Sequence, residues 1–262
     1  MSGAVVRVGS RVVDAVTELG DFTILFVRIL AALPKIHRTM RQVLLQMMEI
    51  GIRSMPLVVV TSFFTGSVAA IQAAYQFQDW IPLRYVGSVV GKSVIIELGP
   101  VLTGLVVGGR VGASIAAELG TMKVTEQIDA LEAIGIDSIR YLVLPRFVAA
   151  TIMIPVVVIF ADFLAISGGL IAAVGSIGMT AQSFLIGLKI FFEMTDVWAG
   201  LIKSVVFGMI IALMGCYYGL RTEGGAEGVG RATTRAVVSC CLLILISDYI
   251  LAEVLFSALL FG

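Results

Sequence analysis

Residues 97–146 read ELGPVLTGLVVGGRVGASIAAELGTMKVTEQIDALEAIGIDSIRYLVLPR, and this stretch decides the fold. Its first part is apolar and rich in small residues, its middle is polar, and its end is apolar again. A bilayer core about 30 Å thick needs about 20 apolar residues for one helical span. The stretch therefore predicts the end of one membrane span, a short exposed segment and the start of the next span.

The composition of the whole chain is that of a membrane protein. Of its 262 residues, 59% are hydrophobic and only 14% are charged, and the mean hydropathy is +1.04. Soluble domains carry about 25% charged residues, which they need to cover a core with a hydrated surface. A surface that faces lipid removes that need, so the composition argues against a soluble domain.

Five segments are long and apolar enough to span a membrane. The predicted spans are residues 55–77, 86–111, 142–174, 197–220 and 236–261. Residues 14–33 carry Glu18, Asp21 and Arg28, and they predict an amphipathic helix that lies in the membrane interface. We therefore predict an all-α integral membrane protein with one domain over residues 1–262.

The third span leaves an alternative open. Residues 147–188 contain a single charged residue, Asp162, and this length is enough for two short spans. The glycines from Gly168 to Gly178 favour one long helix that ends in a loop.

The lysines and arginines predict the orientation of the spans. If the N-terminus is cytoplasmic, Arg84, Lys92, Lys189 and Lys203 fall toward the outside and the other cations fall on or near the inner side. Cytoplasmic loops of membrane proteins carry an excess of Lys and Arg. The distribution therefore predicts a cytoplasmic N-terminus and an odd number of spans.

Small residues recur every four positions in the second span. They are Gly104, Gly108, Gly112, Ala116 and Gly120. Such a stripe lets two helix backbones approach closely in lipid. It indicates either packing within the chain or the seam of a homodimer.

The polar segment that follows predicts a short amphipathic helix over residues 122–134, on the cytoplasmic side between the second and third spans. Its polar residues alternate with Met122, Ile128, Leu131 and Ile134. A solvated loop would not need these apolar residues. The apolar face packs either on the chain's own helices or in a groove on a partner.

The motifs of this region resemble one family. They are ELGP at 97–100, GRVGA at 109–113, AELGTMKVTEQIDAL at 117–131, GID at 135–137, LPRF at 144–147, LIKSVVFG at 201–208 and GVGRATTRAVV at 228–238. Together they resemble the permease subunits of Mla-type (maintenance of lipid asymmetry) ABC transporters over about residues 47–261. The first forty residues match only in general character.

The resemblance implies a homodimer in the bacterial inner membrane, with an interfacial helix and five spans in each protomer. It implies that two cytoplasmic ATPase subunits hold the helix between spans two and three. The candidate contacts there are Lys123, Glu126, Gln127, Asp129, Leu131 and Glu132. It also implies a ring of MCE-domain subunits on the outer side, which exchanges phospholipid with a pocket at the dimer interface.

The lipid-binding candidates are Glu97 and a set of neighbours, which are Leu98, Ala69, Gln72, Tyr75, Phe77 and Trp80. A carboxylate within an apolar helix is costly and usually faces a cavity or a partner. The resemblance places Glu97 near the lipid headgroup, whereas the alternative is a hydrogen bond within the bundle. Tyr75 and Trp80 also fit ordinary interfacial anchors.

One position departs from the family pattern. The family often has a basic residue immediately before this glutamate, but here the residue is Ile96. Lys92 is five residues earlier and off the same helical face, so it is an imperfect substitute.

The sequence predicts no catalytic site, metal site or cofactor in this chain. Residues 87–93, GSVVGKS, are close to a Walker A loop, but that motif needs a glycine where Val86 stands. ATP hydrolysis is therefore assigned to a separate subunit.

Two other functions remain as alternatives. An ion-coupled secondary transporter could use Asp162, Asp248 and Glu253 as a proton relay, although pairing with Lys203 or with hydroxyls would explain these carboxylates equally well. The other alternative is a membrane anchor that assembles a complex without transporting anything.

Overall fold

The computed structural model describes residue 17, residues 20–77 and residues 81–261, and these residues form helices without any β-strand. In chain order the helices are α1 (20–32), α2 (Met40–Ile50), α3 (Met55–Phe77), α4 (Tyr85–Ser93), α5 (Gly99–Val124), α6 (Gln127–Ala133), α7 (Leu144–Gly175), α8 (Ala181–Ile190), α9 (Met194–Leu220) and α10 (Gly225–Phe261). Single 3₁₀ segments link α1 to α2 and α2 to α3, and π-helical turns at Val94–Leu98 and Ile139–Val143 join α4 to α5 and precede α7.

Five helical segments are long and apolar enough to cross a membrane, which confirms the predicted fold class. They are Met40–Phe77, Tyr85–Val124, Ile139–Gly175, Met194–Leu220 and Gly225–Ser257. Several are longer than the predicted spans because the helices continue past the apolar residues into polar turns. The N-terminal part of the predicted interfacial helix, residues 14–16, 18 and 19, lies outside the described residues.

One face of the helix α1 packs against the bundle. Leu25 and Ile29 are buried in the main core, whereas Ile24 and Val27 on the same helix are exposed. Its Asp21 forms an ion pair with Arg221 at the end of α9.

The third span is one long helix that ends in a loop, as predicted, since α7 ends at Gly175 and Gly178 follows with a φ of 75°, but Gly168 has a different role. The helix α7 continues through Gly168 to Gly175, and the following residues include a further short helix, α8, where we expected only a loop. A Cβ at Gly168 would collide with the carbonyl oxygen of Phe63, and a Cβ at Gly66 would collide with that of Ala165. These glycines therefore bring the backbones of α3 and α7 into contact instead of ending a helix.

The stripe of small residues in α5 packs within the chain. Gly104 faces Phe207 of α9, and Gly112 faces the Cys240 sulfur of α10, where an added Cβ would lie 3.0 and 3.1 Å from them. Ala116 is fully buried. Of the two interpretations of this stripe, the structure supports packing of α5 against α9 and α10.

The predicted helix over residues 122–134 is divided in two. Residues 122–124 are the end of α5, and α6 starts only at Gln127 because Glu126 has a φ of 59°. A left-handed conformation breaks the helix at this point. Ile128 is buried in the main core and Leu131 packs against it, whereas Ile134 is 72% exposed, so only part of the predicted apolar face packs on the chain's own helices.

We expect Glu126→Gly to stabilise the fold by about 1 kcal/mol, because glycine adopts positive φ without the steric cost that a side chain carries. The change in melting temperature of the purified protein measures this effect. Ala130→Gly is the matched control, since Ala130 is exposed inside α6 and glycine there should destabilise by about 1 kcal/mol. A loss of stability in Glu126→Gly would contradict the assigned backbone conformation.

Candidate functional site

Three helices bring one lysine and two carboxylates together inside the bundle. The Nζ atom of Lys203, on α9, lies 2.5 Å from Oε2 of Glu97 and 2.9 Å from Oδ1 of Asp248 on α10. The Lys203 side chain is 1% exposed. A buried ammonium is costly without paired carboxylates, so the three side chains form one unit, which we call the ion triad.

The π-helical turn at Val94–Leu98 positions Glu97 in this unit. Turns of this kind inside α-helices occur frequently at functional sites. The turn is followed directly by Gly99 and Pro100 at the start of α5, and a Cβ at Gly99 would collide with the carboxylate of Asp162 on α7.

Lys92 contacts a different carboxylate. Its Nζ lies 3.4 Å from Oδ2 of Asp196 in the first turn of α9. Asp196 and Lys203 are seven residues apart, which places them on one face of α9 about 10 Å apart along its axis. Lys203, rather than Lys92, therefore provides the cation next to Glu97.

The ion triad opens to the surface of this chain through Glu97. The Glu97 side chain is 41% exposed, compared with 14% for Asp248. It lies within the apolar helical segment Tyr85–Val124, where contact with lipid tails would cost several kcal/mol. The open side of Glu97 therefore needs a partner, a hydrated cavity or a polar ligand.

The other lipid-binding candidates lie on two neighbouring surfaces. Phe77 and Leu98 pack against one small core cluster, whereas Gln72 and Tyr75 point outward and Ala69 is half-buried. Trp80 lies outside the described residues. The structure thus groups Leu98 with α3 and brings Glu97 to α9 and α10.

A polar stripe runs along α3, and its first two residues lie beside Leu98. Thr61, Thr65, Gln72 and Gln76 follow at helical spacing and are partly or well exposed. Thr61, Thr65 and Leu98 also line a cavity of about 10 Å³, the size of a single water molecule. Polar side chains on a membrane helix usually face another helix or water.

The segment between α5 and α7 presents a charged outer surface. Glu126, Gln127, Asp129 and Glu132 are exposed, whereas Lys123 and Leu131 are half-buried. Lys123 Nζ lies 2.7 Å from Asp129 Oδ1, and Ser138 donates a hydrogen bond of 2.6 Å to Glu132. These contacts fix the segment to the ends of both spans.

Comparison with known proteins identifies the family. The family model described as Permease MlaE matches residues 43–254, which is most of the chain. The chain belongs to the MlaE permease family.

Named relatives of this MlaE-family chain cover nearly its whole length. A probable ABC transporter permease protein of Rickettsia typhi is 41% identical, covering 95% of this chain and 96% of the relative. A probable ABC transporter permease protein of Synechocystis is 43% identical over 83% and 82% of the two chains. The intermembrane phospholipid transport system permease protein MlaE of Haemophilus influenzae is 32% identical over 95% and 96%. These names support an ABC transporter permease.

Sequence reasoning missed the partner of Glu97 in this family member. Lys203 was considered as a partner only for the other carboxylates, although it stands in the apolar run LIKSVVFG at 201–208. A lysine within a span usually pairs with a carboxylate or with backbone carbonyls, but that rule does not choose among Glu97, Asp162, Asp248 and Glu253. Lys203 forms ion pairs with Glu97 and Asp248 and not with Asp162, whose buried Oδ1 has no hydrogen-bond partner.

Proposed function

We propose that this permease is the membrane subunit of an ABC-type phospholipid transporter in the bacterial inner membrane. In this proposal it works as a homodimer with cytoplasmic ATPase subunits and with MCE-domain subunits on the outer side. The ion triad carries the proposal, because a half-exposed carboxylate on a membrane-spanning helix needs a polar partner or ligand. The name of the Haemophilus relative, an intermembrane phospholipid transport system permease protein, supports a phospholipid as that ligand.

The ion triad suits a headgroup site for two reasons. Lys203 and Asp248 hold Glu97 in place, so its open oxygen is oriented before lipid binds. Thr61 and Thr65 of α3 line a small cavity with Leu98, the residue after Glu97, so polar and apolar surface lie side by side there. A phospholipid needs both kinds of surface.

The segment around α6 is suited to be the docking site of the ATPase subunits. Its polar residues are exposed, while Ile128 is buried in the core with residues of α5, α7 and α9. A rigid contact of this kind transmits a displacement of α6 to the spans, because packed interiors have low compressibility. ATP-driven closure of the two ATPase subunits would then change the shape of the lipid pocket.

We expect Asp129→Lys to abolish co-purification of the ATPase subunits. The substitution reverses a charge that is 54% exposed and removes its ion pair with Lys123. Juxtaposed like charges at an interface cost several kcal/mol. A pull-down from membranes that contain all subunits measures the association.

Glu193→Lys is the matched control, since Glu193 is exposed at the start of α9, far along the chain from α6. It should retain the ATPase. If Asp129→Lys also retained the ATPase and supported transport, the docking site of the ATPase subunits would have to lie elsewhere.

We expect Leu98→Trp to weaken phospholipid retention about tenfold, since the larger side chain takes up space next to Glu97, and a tenfold change in affinity corresponds to about 1.4 kcal/mol. Mass spectrometry of lipid extracted from the purified complex gives the amount retained and its headgroup. Ile171→Trp, at an exposed position of α7, should leave retention unchanged. Normal lipid traffic in the Leu98→Trp variant would favour the non-transporting anchor.

A further inference from the structure

A large cavity lies at the junction of α9 and α10, many residues along both helices from the ion triad. Its volume is about 790 Å³, and it is formed by the end of α9, the start of α10 and the turn between them. This volume is within the range of 300–1,000 Å³ that is usual for ligand pockets. None of its lining residues belongs to the ion triad or to α6.

Three arginines line the cavity. Arg221 is the C-cap residue of α9, while Arg231 and Arg235 lie one helical turn apart on α10. Like charges at this spacing destabilise a helix, so a bound anion would relieve their repulsion. Guanidinium groups also match phosphate oxygens geometrically.

The other charges around the cavity leave one arginine available. Asp21 contacts Arg221, and Glu227 lies 2.7 Å from Arg231. Arg235 is exposed, and among the described residues it has neither a hydrogen bond nor an ion pair. Glu223 also lines the cavity, so the wall offers cations next to one carboxylate.

The rest of the wall is suited to hold a ligand in one place. Arg221 donates a hydrogen bond of 2.8 Å to the Tyr217 hydroxyl, and its guanidinium lies 4.7 Å from the Tyr217 ring centre. Tyr218 is held by a contact of 2.9 Å between its hydroxyl and that of Ser239. Ala232 is buried on the same face of α10 as Arg231 and Arg235. The pocket therefore has two tyrosine side chains, Tyr217 and Tyr218, that are held by hydrogen-bonding contacts, and an arginine, Arg235, that is available to a ligand.

We propose that this cavity is a second ligand site, which binds a phosphate group through Arg231 and Arg235. The phosphate belongs either to a phospholipid headgroup at the membrane surface or to a soluble phosphate. The cavity lies between two membrane-spanning helices at their arginine-rich end, which is where basic pockets bind anionic headgroups. The site is separate from the ion triad and does not depend on its function.

The test uses the full-length protein in detergent with two probes. Native mass spectrometry counts bound dihexanoyl phosphatidylglycerol, and equilibrium dialysis measures binding of inorganic phosphate. Dihexanoyl glycerol, which lacks phosphate, controls for acyl contacts. We expect Arg235→Gln to weaken binding of a phosphate-bearing probe about tenfold or more, because hydrogen bonds to charged groups have this strength.

The matched control is Arg41→Gln, which removes an exposed arginine on α2 and should change binding less than twofold. If Arg235→Gln loses one bound phosphatidylglycerol and inorganic phosphate does not displace that lipid from the wild type, the ligand is a lipid headgroup. If inorganic phosphate displaces the lipid at similar affinity, the ligand is a soluble phosphate. Unchanged binding of both probes in Arg235→Gln and in the Arg231→Gln/Arg235→Gln double variant would overturn the site. Loss of ATPase association with unchanged binding of both probes would also overturn it, by assigning the arginines to a protein contact.

Discussion

Replacement of Lys203 by methionine is expected to destabilise the protein more than any other single charge removal. The substitution leaves Glu97 and Asp248 without their cation, and a buried charge without its partner costs about 3–5 kcal/mol. The Lys203 side chain is 1% exposed and Asp248 is 14% exposed, so water replaces little of the lost interaction. We expect the melting temperature of the purified protein to fall by roughly 10 °C.

A combined variant separates the loss of charge pairing from a simple packing defect. Glu97→Gln/Lys203→Met/Asp248→Asn removes all three charges and should recover most of the lost stability, because neutral groups of similar shape tolerate burial. It should still fail to support transport if Glu97 contacts the lipid. Lys189→Met, at an exposed position of α8, should change nothing. A Lys203→Met protein as stable as the wild type would contradict the ion triad.

The second large effect is expected at the contact between α3 and α7. Gly66→Ala adds a Cβ that would collide with the carbonyl oxygen of Ala165. Because the obstacle is backbone, a side chain cannot move aside, and we expect a loss at the upper end of the range for overpacking, about 3 kcal/mol. Thermal unfolding of the purified protein should show a decrease of roughly 10 °C.

The control for Gly66→Ala is an alanine at a glycine with free space. No atom lies within 4 Å of a Cβ built at Gly230, in α10. Gly230→Ala should therefore be neutral or stabilise by up to ~1 kcal/mol, since alanine is the better helix former. An equal loss in both variants would indicate that glycine flexibility, rather than close packing, matters in these helices.

The spans could be predicted from the sequence because hydropathy alone decides which segments enter lipid. The predicted residues 197–220 and 142–174 fall within the observed segments Met194–Leu220 and Ile139–Gly175. The role of Gly168 could not be predicted, because a glycine in an apolar run indicates either a helix end or a close helix contact. The choice between the two depends on the backbone of α3, which is distant in sequence.

The candidate site was only partly predictable for a similar reason. A carboxylate within a span, such as Glu97, stands out in the sequence because of its desolvation cost. Its partner Lys203 is 106 residues away, and local helical spacing carries no information about such a pair. The break at Glu126 was equally hidden, since glutamate ordinarily favours helix and its positive φ follows from how α6 packs.

The most direct test of the proposed function is transfer of a fluorescent phospholipid by the complex reconstituted in vesicles. We predict transfer that requires ATP and the ATPase subunits, continues after the pH gradient is collapsed, and stops with Asp129→Lys. Transfer by this chain alone, driven by a pH gradient without ATP, would contradict the account and assign the protein to ion-coupled transport.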